Sequence, residues 1–273
     1  MGVSLSIITN SGALAALQQL SKTQKALNIT QLRVTTGLKV NGPQDDPSSF
    51  AIAQRLRGEI AGIQAVGIAL ANGDSIVNTA ISAGKAIADL LTEMKSKVVQ
   101  ANQSGLDSAL RTSLETDFTS LRDQLTTIIS TAEFNDTNLI DSAATNLQVL
   151  STVSGSTITV SAQPLDTTTL AISALSLLTS SGASEALTSI ETAITTVAEK
   201  LATLGSSAKQ LEVQADFSTQ LIDILKEGVG NLVDADLAEE SARLQALQIQ
   251  QQLGVQALSI ANAQPGLILS LLQ

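Results

Sequence analysis

The sequence predicts a mainly α fold: a long antiparallel coiled-coil or helical-bundle rod with a small β-hairpin region at the middle of the chain. Three observations predict it. Apolar residues recur at three- and four-residue steps over much of the 273 residues, a period near 3.5 that indicates coiled-coil packing with a left-handed supercoil. Aromatics make up only 1% of the chain, with no Trp, Tyr or His. The usual large-area core residues are therefore missing, and a core of Ala, Leu, Ile and Val suits long helices lying close together. Finally, all 15 basic and 25 acidic residues fall between Lys22 and Arg243. Two uncharged, apolar-rich ends flank a charged middle, although chain ends are ordinarily the most solvated part of a domain.

Helix one is expected over about residues 4–35. Ala13, Leu17, Leu20, Leu27 and Val34, with Gln24 and Gln31, form its heptad seam. Gly37 is placed to end it in the left-handed conformation. Residues 37–49 are irregular because Gly42, Pro43 and Pro47 forbid a continuous helix. The adjacent carboxylates Asp45 and Asp46 could be a metal or acid–base pair, but neither His nor Cys is present to complete a metal site. A turn with negative charge at the next helix start is the better reading.

Helix two is expected from about 48 to 103, with Leu56, Ile63, Val66, Leu70, Val77, Ala80, Ile87, Leu91, Met94 and Val98 in heptad register. Its glycines at 58, 62, 67, 73 and 84 would let another backbone approach; no strand precedes them and no G-K-S/T follows, so they are not a phosphate loop. Helix three follows over 107–131, with Leu114, Phe118, Leu121, Leu125 and Ile128 on one face. Residues 132–140 are a turn. Residues 141–182 are Ser/Thr-rich, with strands expected at Gln148–Val153 and Thr157–Ala162 around Ser154-Gly155-Ser156. Helix four, about 184–227, carries the longest clean heptad run, including Leu187, Ile190, Ile194, Val197, Leu201, Leu204 and Leu211. Gly228 and Gly230 mark a hinge before the last helix, which Asp234 and Asp236 start.

That last helix carries no charge after Arg243. Leu244, Leu247, Leu253, Val255, Leu258 and Ile260 sit among glutamines, so the helix is apolar almost all round near 253–261 and has to be buried. The glutamines interrupt every window of roughly 20 apolar residues, which argues against membrane insertion. Residues 1–21 lack the positive segment of a secretory signal peptide. The net charge of −10 argues against nucleic acid and against anionic membrane surfaces. With no Cys there is neither disulfide nor thiolate chemistry. No cofactor, metal or enzymatic activity is expected.

On these residues the chain resembles bacterial flagellin. Thr9, Asn10, Ala13 and Leu17 match at the N-terminal side. RVTTGLKVNGPQDDPSSFAIAQRLRGEI is similar to the family signature S-S/T-G-L-x-I-N-S-A-x-D-D-A-A-G-x-A-I-A. Phe134 and Asn135 match F-N-G, with Asp136 in place of Gly. DADLAEESARLQALQIQQQLGVQALSIANAQPGLILSLL follows the family pattern, ending in Gln273 where the family usually has Arg. The likeness covers roughly residues 4–140 and 184–273, and the short middle is similar to that of the small alphaproteobacterial flagellins.

The resemblance implies three parts. Residues 1–36 and 231–273 would form an inner terminal coiled coil that orders on assembly, through Leu17, Leu20, Leu27, Leu244, Leu247, Leu253, Val255, Leu258 and Ile260. Residues 37–140 and 184–230 would form the rod, with Leu56, Ile63, Leu70, Ile87, Leu91, Ile194, Val197, Leu201, Leu204 and Leu211 in its core. Residues 141–183 would be a short outer region. The implied role is a structural subunit that polymerises into the extracellular flagellar filament for motility. Export would run through the flagellar type III apparatus without a cleaved signal. Its partners would be other copies, cap and junction proteins, and an export chaperone at the C-terminus. The alternative is a hook–filament junction protein, whose terminal motifs are weaker. Flagellins detected by the vertebrate toll-like receptor carry a motif like L-Q-R-x-R-E-L-A-V-Q; here Glu93 stands for the first Arg and Lys97 for the Leu, which implies weak activation.

Overall fold

The computed structural model describes the backbone of residues 9–271 and the side chains of residues 9–263. Five helices and one two-stranded hairpin follow in the order α1 (Ser11–Thr36), α2 (Pro47–Ala101), α3 (Ser108–Thr131), β1 (Leu147–Leu150), β2 (Thr157–Val160), α4 (Ser180–Val233) and α5 (Leu237–Leu271). They make two compact units: residues up to Gly58 together with those from Ile224 on, and residues Glu59–Asp223.

Local chemistry sets the helix ends. The Asn10 side chain accepts from the Ala13 N–H at 3.0 Å and caps α1. The start expected at residue 4 is replaced by this cap, and residues 4–8 lie outside the described part. Gly37 ends the helix at φ 73°, its N–H bonded to the Arg33 carbonyl, as its freedom from a Cβ allows. Asp46 accepts from the backbone N–H of Ser48 and Ser49 and from the Ser49 hydroxyl. Those bonds, led by the Ser49 hydroxyl, hold its carboxyl below the usual range, and Lys39 adds to them. Asp45 accepts from the N–H of Asn41 and Gly42. Both carboxylates thus bond the backbone of a turn and a helix start. Asp107 and Asp236 cap α3 and α5 in the same way.

The second unit has the larger core. Leu70, Ile87, Leu91 and Met94 of α2, Phe118 and Leu125 of α3, and Ile190 and Val197 of α4 are fully or almost fully buried together. Val149 and Val160 of the hairpin join the same core. The α2 helix is long and apolar enough to cross a membrane by length and composition, and about a third of that apolar window is buried, 33%. Three of its glycines sit under other side chains: a Cβ at Gly73 would lie 2.6 Å from Val149, at Gly62 2.9 Å from Val153, and at Gly84 2.6 Å from Leu201. The expected approach is therefore by side chains, not backbone, and Gly58 and Gly67 face open space.

Several boundaries differ from expectation. The helix α4 runs unbroken through Gly228 and Gly230 to Val233. Neither glycine has a positive φ, and the Asp234 N–H still bonds the Gly230 carbonyl at 2.8 Å. The break falls at 234–236 instead. Each strand is shorter than expected. Ser151 N–H bonds the Ser156 carbonyl across a loop with Gly155 at φ 94°. After Val160 the chain leaves the hairpin and donates from Gln163 and Leu165 to the carbonyls of Leu139 and Ile140. On α3 it is Ile129, not Ile128, that is buried. The segment 163–179, expected to be merely irregular, buries Leu165, Leu170, Ile172 and Leu177. Its backbone is held from α3: buried Arg111 donates to the carbonyls of Ala101 and Leu177 at 2.7 and 3.1 Å, Glu115 accepts from the Leu177 N–H, and Arg122 donates to Ser173 and Leu175.

The stiffness of the covering residue decides what a helix glycine tolerates. Alanine gains about 1 kcal/mol of helix propensity over glycine. At Gly84 the obstacle is the flexible end of Leu201, so Gly84→Ala should change stability by less than about 1 kcal/mol. At Gly73 both γ-carbons of β-branched Val149 lie within 3 Å of the new Cβ, and overpacking of that kind costs about 1–3 kcal/mol. Gly73→Ala should therefore be net destabilising, and Val149→Ala should relieve the clash in a double-mutant cycle. Urea unfolding of the four proteins measures this; additivity of the two changes would refute it.

Candidate functional site

The first unit is built on the antiparallel pairing of α1 and α5. Asn10 Nδ2 donates to the Ala261 carbonyl at 2.7 Å, Leu20 lies over Gly254, Gln24 bonds Gln251, and Arg33 meets Glu240. At the far end Leu38 and Asp234 form a β-bridge, and the N–H groups of Lys39 and Val40 reach the Val233 carbonyl. These contacts draw the turn after α1 and the end of α4 into the same unit.

The seam follows heptad spacing on both helices. On α1 the buried or half-buried positions at heptad spacing are Ala13, Ala16, Leu20, Thr23, Leu27, Thr30 and Val34, with Ala26 and Arg33 beside them; on α5 they are Glu240, Leu244, Leu247, Gln251, Gly254, Leu258 and Ala261, with Ser241 beside them. Leu20, Leu27, Leu244, Leu247 and Leu258 thus face the partner helix or lie partly against it. The α1 seam runs through Ala16, Thr23 and Thr30 rather than through Leu17, Gln24 and Gln31, all three of which are exposed. Thr23 and Thr30 are buried because the hydroxyl of a threonine can turn back onto its own helix, as Thr23 does onto the Gln19 carbonyl at 3.0 Å.

One ion pair is built into this seam. Arg33 Nη1 and Glu240 Oε1 are 2.9 Å apart, with side-chain exposures of 26% and 10%. Arg33 Nε and Glu240 Oε2 are buried and have no hydrogen-bond partner.

The remaining faces stay open. Leu14, Leu17, Ile29 and Leu32 on α1, and Leu237, Ile249, Leu253, Val255 and Ile260 on α5, are between 45% and 66% exposed. An open groove of about 390 Å³ runs between Asn10, Leu14, Leu17 and Leu258. These large apolar side chains, on a paired element with no charge on α5 beyond Arg243, make an extended exposed apolar surface.

The other singled-out positions lie elsewhere. Ile63, Leu70, Ile87, Leu91, Val197, Leu204 and Leu211 are buried; Ile194 and Leu201 are half-buried against the same core. Leu56 is half-buried in the first unit. Glu93 is exposed, and Lys97 is paired with Asp117 at 2.7 Å, which raises its pKa by hydrogen bonding and charge. A pocket of about 270 Å³ holds Asp141 and Asp166. Asp166 already accepts from the N–H groups of Thr168 and Thr169, and among the described residues no group of three His, Cys, Asp or Glu is placed to hold a metal ion. No local sequence signal marks the Arg33–Glu240 pair, since the two residues are 207 apart.

Comparison with known proteins bears on these helices directly. The family profile of the bacterial flagellin N-terminal helical region matches residues 7–145, and that of the C-terminal helical region matches residues 187–272. The chain is 44% identical over 267 residues to flagellin FljO of Caulobacter vibrioides, covering 97% of this chain and 98% of that protein. It is 38% identical over 279 residues to a flagellin of Brucella melitensis, at 97% and 98% coverage. Its fold is similar to that of a Vibrio parahaemolyticus protein described as flagellar hook-associated, with a TM-score of 0.60 at 15% identity over 70% of this chain and 100% of that one.

Removing half of the seam ion pair should leave the other half stranded. Glu240→Ala takes away the carboxylate that Arg33 meets, and a polar group left buried without a partner costs about 1–3 kcal/mol. The double change Arg33→Met, Glu240→Met should recover most of that loss, because an apolar pair of similar size carries no desolvation penalty. Urea unfolding followed by helical circular dichroism measures both; a double variant as unstable as the single one would count against the account.

Proposed function

This chain belongs to the bacterial flagellin family, the structural subunits of the flagellar filament, and we propose that it polymerises through the outer faces of its paired terminal helices. The family is a structural one and not an enzyme family, and its members self-polymerise into an extracellular filament. The observation that carries the site assignment is the row of half-exposed apolar side chains on α1 and α5. A seam between two helices buries one stripe of each, and both helices are apolar well beyond that stripe.

In this reading Leu20, Leu27, Leu244, Leu247 and Leu258 hold the two helices of one copy together, while Leu17, Leu253, Val255 and Ile260 contact neighbouring copies. The seam is weak by composition, with Thr23, Thr30, Gln251 and Gly254 in it. Stable pairing then draws on burial between copies, and part of the ordering entropy is met only on assembly. Other parts of the proposal rest on the family alone: export through the flagellar type III apparatus without a cleaved signal, an export chaperone at the C-terminal helix, and cap and junction proteins at the filament ends. The hook-associated likeness is one of fold at 15% identity, whereas the full-length relatives at 38–44% identity are flagellins.

Seeded polymerisation of the full chain beside a version lacking residues 244–273 tests this. Filaments are expected from the full chain only, seen by negative-stain microscopy; filaments of equal yield from the shortened chain would remove α5 as the assembly element. A second expectation concerns the vertebrate toll-like flagellin receptor. Glu93 is exposed and Lys97 is tied to Asp117, and the two charge-altered positions, four residues apart, share one side of α2. Receptor activation in reporter cells should be weak or absent, and nanomolar potency would contradict it.

A further inference from the structure

A second exposed apolar face lies on α4, outside the terminal helices. Val213 and Phe217 are each 55% exposed, one helical turn apart. Phe217 is one of only four phenylalanines in the chain, and exposed aromatics of this kind are the usual anchors of protein interfaces. Glu212 and Asp216 precede them by one residue each, so an acidic row and an apolar row run side by side along the helix. Glu212 meets Lys209 at 2.8 Å, but with side chains 58% and 68% exposed, a pair that contributes little and is easily exchanged. Over residues 212–227 there are four acids, Glu212, Asp216, Asp223 and Glu227, against one base, Lys226.

The opposite composition occurs at the other end of the sequence. Residues 1–44 contain Lys22, Lys25, Arg33 and Lys39 and no acidic residue. On α1, Lys22, Lys25, Ile29 and Leu32 follow at steps of three, four and three along the face turned away from the α5 seam, and all are exposed. This row changes from basic to apolar along its length, over about 10 Å between Lys22 and Ile29 at 1.5 Å per residue. A helix laid across α4 would set its two lysines over the acidic row and Ile29 and Leu32 over the apolar row.

Building on the filament reading, we propose that the Glu212, Asp216, Val213 and Phe217 face of α4 docks the outer face of α1 from a second copy of this chain. The contact is heterologous, so each copy offers both halves and the arrangement propagates. Burying Phe217, Val213, Ile29 and Leu32 supplies the affinity, and the charges set the direction and register of the crossing.

A charge swap tests it. One variant carries Glu212→Lys with Asp216→Lys; the other carries Lys22→Glu with Lys25→Glu. Each alone should raise the critical concentration for polymerisation on the order of tenfold, because two attractive pairs become repulsive at every joint. Mixed in equal amounts, the two should polymerise near the parent's critical concentration, since alternating copies restore every opposite-charge pair. Misfolded variants could not rescue one another, so the mixture controls for folding. If the mixture stays as poor as its components while all four changes in a single chain restore assembly, the faces meet within one chain and the proposal is overturned. It is overturned equally if either variant alone polymerises like the parent. Polymerisation of the parent protein is read separately and reports on the filament assignment itself.

Discussion

The constraint on which the rest depends is geometric: two paired helices can bury only the stripes that face each other. In α1 and α5 those stripes are positions 13–34 and 240–261 at heptad spacing. Yet Leu14, Leu17, Ile29 and Leu32 lie outside the α1 stripe, and Ile249, Leu253, Val255 and Ile260 outside the α5 stripe. No adjustment of the pair brings them in, because turning either helix inward exposes its present seam. The apolar excess is thus left on the surface of the pair, as the proposed contact between copies would use it. It also accounts for the missing charges, since a charged side chain on those faces would have to be desolvated whenever the surface is covered.

The seam itself is not optimised for strength. Threonines at 23 and 30, a glutamine at 251, a glycine at 254 and a half-satisfied ion pair stand where Leu and Ile would pack best. Polar groups in a coiled-coil seam lower stability but restrict register, because a shift by one heptad would strand them against apolar neighbours. Arg33 has one partner in the register observed, and Gly254 leaves room for Leu20 at 3.2 Å from where a Cβ would stand. A pair that is specific in alignment yet modest in strength fits helices that gain their final burial from other copies.

Much of this was legible in the sequence, for identifiable reasons. The caps at Asp46 and Asp236 and the glycine terminator at 37 are local chemistry, and local chemistry is written in a few adjacent residues. The core heptads of α2 and α4 stand out because one apolar stripe runs on over much of each helix, while exposed apolar residues such as Ile68 and Val213 form no stripe of that length. Sequence reading places the α1 seam one position away, at Leu17, Gln24 and Gln31, because Leu17 is greasier than Ala16 and the seven-residue step from Leu17 then falls on Gln24 and Gln31 rather than on Thr23 and Thr30. Gly228 and Gly230 read as a hinge on propensity, but propensity is a weak prior that a well-anchored helix end overrides. The fit of Val149 onto Gly73 and the grip of Arg111 on Leu177 join residues 76 and 66 apart, and no periodicity records them. The flagellin likeness was visible because its motifs lie at both ends in colinear order, which matches the two profile regions found.

The second unit shows the complementary solution. Its core is closed within one chain by Phe118, by aliphatic side chains from α2, α3 and α4, and by the hairpin over Gly62 and Gly73. Its polar backbone is satisfied by dedicated side chains: Arg111, Glu115 and Arg122 together answer the groups of the 173–177 segment, which has no regular structure of its own. The apolar side chains of this unit's core are covered within one chain, and the net charge of −10, all of it lying between residues 22 and 243, opposes casual association of copies. That repulsion is weakest along the uncharged stretch after Arg243, which agrees with the proposed assembly surface. In the proposed assembly the same uncharged run is where copies join.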